Sequence, residues 1–143
     1  MQLYRLIYVS DVASYIDWSD LKDILLKSQE NNAQLDVTGM LVMMSRKFLQ
    51  VLEGPAEALN ALYAKILRDS RHDHSRLLTY MPIAERHFSQ WSMQGVNLSM
   101  MKSEFKEFLI RKYGQTPDGE IVVPDDPFLV YSLLYDIYTN SKA

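Results

Sequence analysis

The chain has 143 residues, 48% of them hydrophobic and 11% aromatic, which suffices for one domain with its own core. Its net charge of −3 comes with no basic block, which argues against nucleic acid as the main partner, and its lack of cysteine excludes disulfides, zinc–thiolate sites, thiol nucleophiles and cysteinyl cofactor adducts. No long apolar run and no basic-then-apolar leader is visible, so no membrane partner is expected and the expected compartment is the cytoplasm.

Leu3 to Ser10 is rich in β-branched and aromatic residues and predicts a strand, with Tyr4, Leu6 and Tyr8 on one face and Arg5, Ile7 and Val9 on the other. A helix follows, capped by Asp17 or Ser19, with Leu21, Ile24, Leu25 and Ser28 on one buried stripe that ends in a polar cluster of Ser28, Asn31 and Asn32. Leu35 to Met44 predicts a second strand, in which Gly39 lets a backbone or ligand come close. Ser45-Arg46-Lys47 turns the chain into a third strand, Phe48 to Leu52, closed by the turn signal Glu53-Gly54-Pro55. Pro55 suits the first position of a second helix, whose buried face is Leu59, Leu62, Tyr63 and Ile66 and whose end lies near residues 69–72. Leu77 to Ile83 and Trp91 to Val96 predict the last two strands.

The order β-α-β-β-α-β-β predicts an α+β, ferredoxin-like sandwich, with two helices on one face of a mostly antiparallel sheet. Beyond it, Ser99 caps an amphipathic helix bearing Met101, Phe105, Phe108 and Leu109 and ended by Gly114. Asp126-Pro127 then opens a helix from Phe128 to Tyr138 that is apolar around much of its circumference. The expected organisation is a sandwich domain over residues 1–98 and a helical segment over 99–143 that caps it or mediates oligomerisation.

Gln50 stands out in this pattern. Phe48, Gln50 and Leu52 share one strand face and Leu49 and Val51 the other, so a primary amide sits among apolar side chains. Burying it without partners costs roughly 2 kcal/mol or more, so something polar should face it. In this topology Tyr8, Gln50 and Met93 converge under the helices, with Asn31 and Asn32 near them. The resulting pocket offers phenol, carboxamide and thioether groups, no metal-ligand set and no acid–base set, and suits a planar heterocycle with carbonyl and N–H groups on its edge. Arg71, Lys65 and His72 lie at or beyond the second helix, within reach of a carbonyl or phosphate at the rim.

Taken singly, each residue also has a plain reading. Tyr8 can be a core tyrosine, Asn31 and Asn32 a helix end, Arg71 and His72 solvated cations, and Trp91 and Met93 packing. Only the joint spacing favours a site.

That spacing resembles the motif series of BLUF domains, the flavin-based blue-light sensors. The motifs are Tyr8, Ser28-Gln29-Glu30-Asn31-Asn32, Thr38-Gly39-Met40-Leu41, Phe48-Leu49-Gln50-Val51-Leu52-Glu53-Gly54, Asp69-Ser70-Arg71-His72 and Trp91-Ser92-Met93. They span residues 1 to 98, with Ser70 in place of a common proline and Lys65 where arginine is frequent. The two added helices resemble the short stand-alone photoreceptors of the family, which carry no enzymatic output domain. The resemblance implies a non-covalent flavin between the two helices: FAD, with FMN or riboflavin as alternatives. Asn31, Asn32 and Arg71 would bind its polar edge, Ile24 and Ile66 its faces, Lys65 and His72 its less buried side, with Ser28 and Phe48 alongside. It further implies light-driven electron and proton transfer from Tyr8 to the flavin, a rearranged Gln50, and a signal passed toward Trp91 and Met93. A homo-oligomer and a separate downstream protein, response-regulator-like in one reading, would receive the output. Two other functions are weighed against this: a flavin-binding interaction module without a light response, and an acylphosphatase-like hydrolase using Arg71 and an asparagine to hold phosphate.

Overall fold

The computed structural model describes residues 1–90 and 92–141, the side chain of Ile24 excepted. Its elements are β1 (Leu3–Val12), α1 (Trp18–Gln34), β2 (Thr38–Met44), β3 (Lys47–Pro55), α2 (Ala56–Leu67), β4 (His72–Ile83) and β5 (Gln94–Asn97). A 3-10 turn (Leu98–Met100), α3 (Ser103–Tyr113) and α4 (Pro127–Ser141) complete it. The sheet has five strands in the order β4-β1-β3-β2-β5. β1 lies antiparallel between β3 and β4, β2 is antiparallel to β3, and β5 runs parallel to β2. β1-α1-β2 and β3-α2-β4 are thus interleaved split β-α-β units, the expected ferredoxin-like arrangement, with β5 added at one edge.

Local chemistry explains most boundaries. Asp17 caps α1: its Oδ1 accepts from Asp20 N at 3.1 Å while Asp20 Oδ2 accepts from Asp17 N at 2.9 Å, a reciprocal box that satisfies two end amides. At the other end Val37 N donates to Asn32 O and Asp36 takes a φ of 59°, so the second strand opens at Thr38 and not at Leu35. Gly39 is needed where it stands, because a Cβ there would lie 2.0 Å from the carbonyl oxygen of Val51 on β3.

Several sequence expectations are corrected. Glu53-Gly54-Pro55 continues β3 instead of ending it, and Pro55 is the cap of α2, not its first residue. β4 begins at His72, five positions before Leu77, because 72–76 already pair with β1 around a register shift. β5 begins at Gln94, and Trp91 lies outside the described residues. Ser99 does not cap α3. It sits in the 3-10 turn, where Asn97 Oδ1 accepts its N–H and O–H, and α3 begins at Ser103.

Both sheet faces are covered. α1 and α2 pack on Leu6, Tyr8, Leu41, Phe48 and Leu52, using Leu21, Leu25 and Leu59. On the opposite face α3 and α4 bring Leu109, Val130, Leu133, Leu134 and Ile137 onto Ile7, Val9, Met40, Val42, Leu49 and Val51. The C-terminal segment therefore caps the second side of the sheet, and the central strands are buried front and back. No helix among the described residues is long and apolar enough to cross a membrane.

Candidate functional site

Tyr8 and Gln50 are direct partners in the β1–β3 register, so their side chains stand side by side on the face under α1 and α2. Tyr8 Oη donates to Gln50 Oε1 over 2.5 Å, and Gln50 Nε2 donates to Met93 Sδ over 3.4 Å. All three side chains are buried. The amide that the apolar strand left in need of partners has one at each end. Burial, with smaller contributions from Tyr63 and Asp69, pushes the Tyr8 phenol far above its ordinary pKa, so its hydroxyl is neutral and donates. The Tyr63 ring lies 5.4 Å from that of Tyr8, centroid to centroid.

Leu21, Leu25, Ser28 and Asn32 follow one another along α1 at spacings of four, three and four, which aligns them on one face. Together with Tyr8, Gln50, Met93, Phe48, Leu41, Leu62, Ile66, Asp69, Arg71 and His72 they line a cleft between α1 and α2. Its volume of about 120 Å³ is several times what a single buried water requires, so it is more than a packing defect. Asn32 Nδ2 donates to Ser92 O at 3.3 Å, whereas its buried Oδ1 has no hydrogen-bond partner among the described residues. Asn31, about 100° further round the helix, is exposed and takes no part in the lining.

The rim is polar. Arg71 donates from Nε to Asp69 Oδ1 at 2.7 Å, from Nη2 to Asp69 Oδ2, and from its backbone N–H to Asp69 Oδ1 at 2.9 Å. This hold keeps the Asp69 carboxyl below the usual carboxylate range and raises the arginine further. His72 contacts Ser10 Oγ through Nδ1 at 2.6 Å and the Ile66 carbonyl through Nε2 at 2.7 Å. A carbonyl only accepts, so in the neutral ring Nε2 carries the hydrogen and Nδ1 accepts from Ser10.

Of the residues proposed from sequence, Tyr8, Gln50, Met93, Asn32, Ser28, Ile66, Phe48, Arg71 and His72 meet at this cleft. Lys65 and Asn31 are exposed and do not line it. The side chain of Ile24 and the whole of Trp91 fall outside the described residues. Leu21, Leu25, Leu41 and Leu62 also line the cleft without having been singled out as site residues, and three polar participants were missed. Asp69, which holds Arg71, and Gln29, which donates to Met93 O at 2.8 Å, both lie inside motifs already singled out, and Ser10 ends the first strand. Their signal was position next to a motif residue. The cleft joins a neutral phenol, an amide that both donates and accepts, and apolar walls. Such a set can both donate to and accept from the edge of a flat heteroaromatic ring.

Comparison with known proteins gives a consistent result. A family model described as BLUF, sensors of blue-light using FAD, matches residues 3–94. The chain is 34% identical over 100 residues to the photoactivated adenylate cyclase subunit beta of Euglena longa, a match covering 69% of this chain but only 12% of that protein. Among solved structures it resembles the ground state of BlsA with a TM-score of 0.81 at 26% identity, over 99% of this chain and 91% of that one. It also resembles BlrB, a BLUF protein in its dark state, with a TM-score of 0.74 at 26% identity, over 96% of both chains.

Proposed function

This chain belongs to the BLUF family of blue-light flavin sensors, and from that premise we propose that it is a photoreceptor whose reacting pair is Tyr8 and Gln50. The observation that carries this reading is the 2.5 Å hydrogen bond from Tyr8 Oη to Gln50 Oε1 on the wall of the α1–α2 cleft.

The cleft residues fit a non-covalently held flavin, with FAD the first candidate. Among the described residues nothing donates to the buried Oδ1 of Asn32, which a ring N–H would satisfy, and an unmet buried acceptor is costly enough to favour such a ligand. Asn32, Gln50 and Arg71 would hold the polar edge, and Ile66 would pack on the ring. When bound, the flavin supplies absorption of blue light and the electron acceptor for a phenol.

Tyr8 is neutral and closely bonded, so losing an electron makes its proton strongly acidic and the short bond gives that proton a path to Gln50. Return of the electron and proton to Tyr8 leaves Gln50 in a second arrangement, with its amide turned so that Nε2 donates to Tyr8 Oη. That rearrangement stores the signal, and Met93, in contact with Gln50 Nε2, is the next group to feel it. We assign the output to a separate protein and to self-association of this chain. Phe128 and Leu129, exposed at the start of α4, support such contacts.

The acylphosphatase-like alternative needs the arginine fork open to take phosphate in a bidentate grip, and Arg71 gives its Nε and Nη2 to Asp69, which leaves Nη1 for a single acceptor such as a ring carbonyl. The test is an absorption spectrum of the purified chain before and after blue light. A yellow protein with a reversible shift to longer wavelength is expected, lost in Tyr8→Phe and Gln50→Ala with flavin still bound. A reversible shift that survives in Tyr8→Phe overturns the mechanism. Bound flavin with no shift in the unaltered chain leaves the light-independent module.

A further inference from the structure

The segment that brings Met93 to Gln50 is gripped from the side by α1. Met93 lies just before β5 and outside its ladder with β2, whose first rung is Met40–Gln94. Gln29 Nε2 donates to the Met93 carbonyl over 2.8 Å, and Asn32 Nδ2 donates to the Ser92 carbonyl over 3.3 Å. Residues three apart are neighbours on a helix surface, so one edge of α1 holds two successive carbonyls. Asn32 also lines the cleft. Gln29 does not line it, and its side-chain amide donates to the Met93 carbonyl.

The contact from Gln50 Nε2 to Met93 Sδ does not by itself fix Met93, because a thioether is a weak acceptor. Apolar packing does not fix it either, since an unbranched methionine fills a core gap in several rotamers. The Gln29 bond, shorter and between stronger groups, sets the backbone from which the sulfur is presented.

That placement discriminates between the two orientations of Gln50. With Oε1 toward Tyr8, Nε2 meets the sulfur as donor to acceptor. With the amide turned over, Oε1 meets the sulfur and two acceptors face each other. Met93 therefore favours the orientation found here, but only while it is held in place. The geometry points to Gln29 as a positioning residue of the Tyr8–Gln50 switch: by holding Met93 O it keeps Met93 Sδ against Gln50 Nε2 and so destabilises the turned amide. This rests on the photoreceptor reading of the cleft.

Gln29→Glu keeps the side-chain length and removes the N–H donor, whereas Gln29→Lys restores a donor of similar reach. The full flavin-loaded chain is examined in two ways. One is the ¹³C-methyl resonance of Met93 in the dark, assigned by its loss in Met93→Leu. The other is the lifetime of the lit state by absorption. Gln29→Glu is expected to move the Met93 resonance and to lengthen the lit state about two- to tenfold, the range of one ordinary hydrogen bond. Gln29→Lys returns both toward the unaltered chain. An unmoved Met93 resonance in Gln29→Glu overturns the clamp, and a moved resonance with an unaltered lifetime overturns its part in the switch. If the unaltered chain shows no reversible shift, the photoreceptor reading fails and takes the switch with it, while the dark resonance still reports whether Gln29 holds Met93.

Discussion

Arg5 and Glu53 face each other across one rung of the β1–β3 ladder, on the side of the sheet away from Tyr8 and Gln50, with Arg5 Nε donating to Glu53 Oε2 over 2.8 Å. They are 6% and 0% exposed. Glu53 Oε1 also accepts from Phe88 N at 2.7 Å and His87 N at 2.9 Å, and the Arg5 guanidinium lies 4.8 Å from the centre of the Tyr131 ring. One buried carboxylate thus joins the two central strands to the loop after β4, and its arginine touches α4.

Removing one partner of a buried ion pair strands the other charge, so Glu53→Ala is expected to cost about 3–5 kcal/mol in denaturant unfolding. Replacing both charges tests what the carboxylate does. Arg5→Met with Glu53→Gln should recover more stability than Arg5→Met with Glu53→Leu, because glutamine still offers an oxygen to the His87 and Phe88 amides. Equal stability of the two double variants would show that the amide contacts contribute nothing.

Phe88 is fully buried and sits edge-on to Tyr131, Tyr135 and Tyr138 of α4. Phe88→Ala should therefore cost about 3–5 kcal/mol, from lost burial and the cavity left behind. The loss should be local in hydrogen exchange, with α4 amides losing protection before those of β1 and β3. Uniform loss across the chain would mean that α4 and the sheet open as one unit.

Strand alternation in the sequence grouped Tyr8 with Leu6 and Gln50 with Phe48 and Leu52, and the element order then brought the two strands together under the helices. It could not reveal Arg5–Glu53. Glu53-Gly54-Pro55 has the composition of a turn, and the pairing of Leu3, Tyr4 and Arg5 with Pro55, Gly54 and Glu53, together with that of Thr38 with Glu53, keeps it extended. Periodicity showed that α3 and α4 have apolar faces but not that they cover the second side of the sheet, since a stripe does not name its partner. Asn31 and Asn32 look equivalent in sequence. Helical rotation of about 100° per residue separates them, and only Asn32 continues the line of Leu21, Leu25 and Ser28.

Asp69 gives an acid-side prediction. The hydrogen bonds from Arg71 lower its folded-state pKa, so its contribution is present above the unfolded carboxyl value of about 3.9 and is lost as pH falls through the lower folded value. Its side chain is 27% exposed and that of Arg71 37%, so solvent screening keeps the contribution small. Denaturant stability of the unaltered chain should fall more steeply below about pH 4 than that of Asp69→Asn. Parallel pH profiles would mean that the pair, though formed, adds nothing to stability.

Tyr8 gives the alkaline counterpart. An unfolded tyrosine ionises near pH ~10, while burial first, then Tyr63 and Asp69, keep the folded Tyr8 protonated well beyond that. Above about pH 10 the unfolded state therefore binds fewer protons than the folded one, and stability falls as pH rises. Tyr113 and Tyr131 are shifted in the same direction, so only the difference from Tyr8→Phe isolates Tyr8. That variant should lose up to one proton's worth of the slope, about 1.4 kcal/mol per pH unit, in denaturant unfolding from about pH 9 to 11.5. An unchanged slope would mean that Tyr8 ionises as readily in the folded chain as in the unfolded one. Tyr8 Oη would then stop being a dependable donor to Gln50 Oε1, because the bond between them in this structure requires the proton to stay on the phenol.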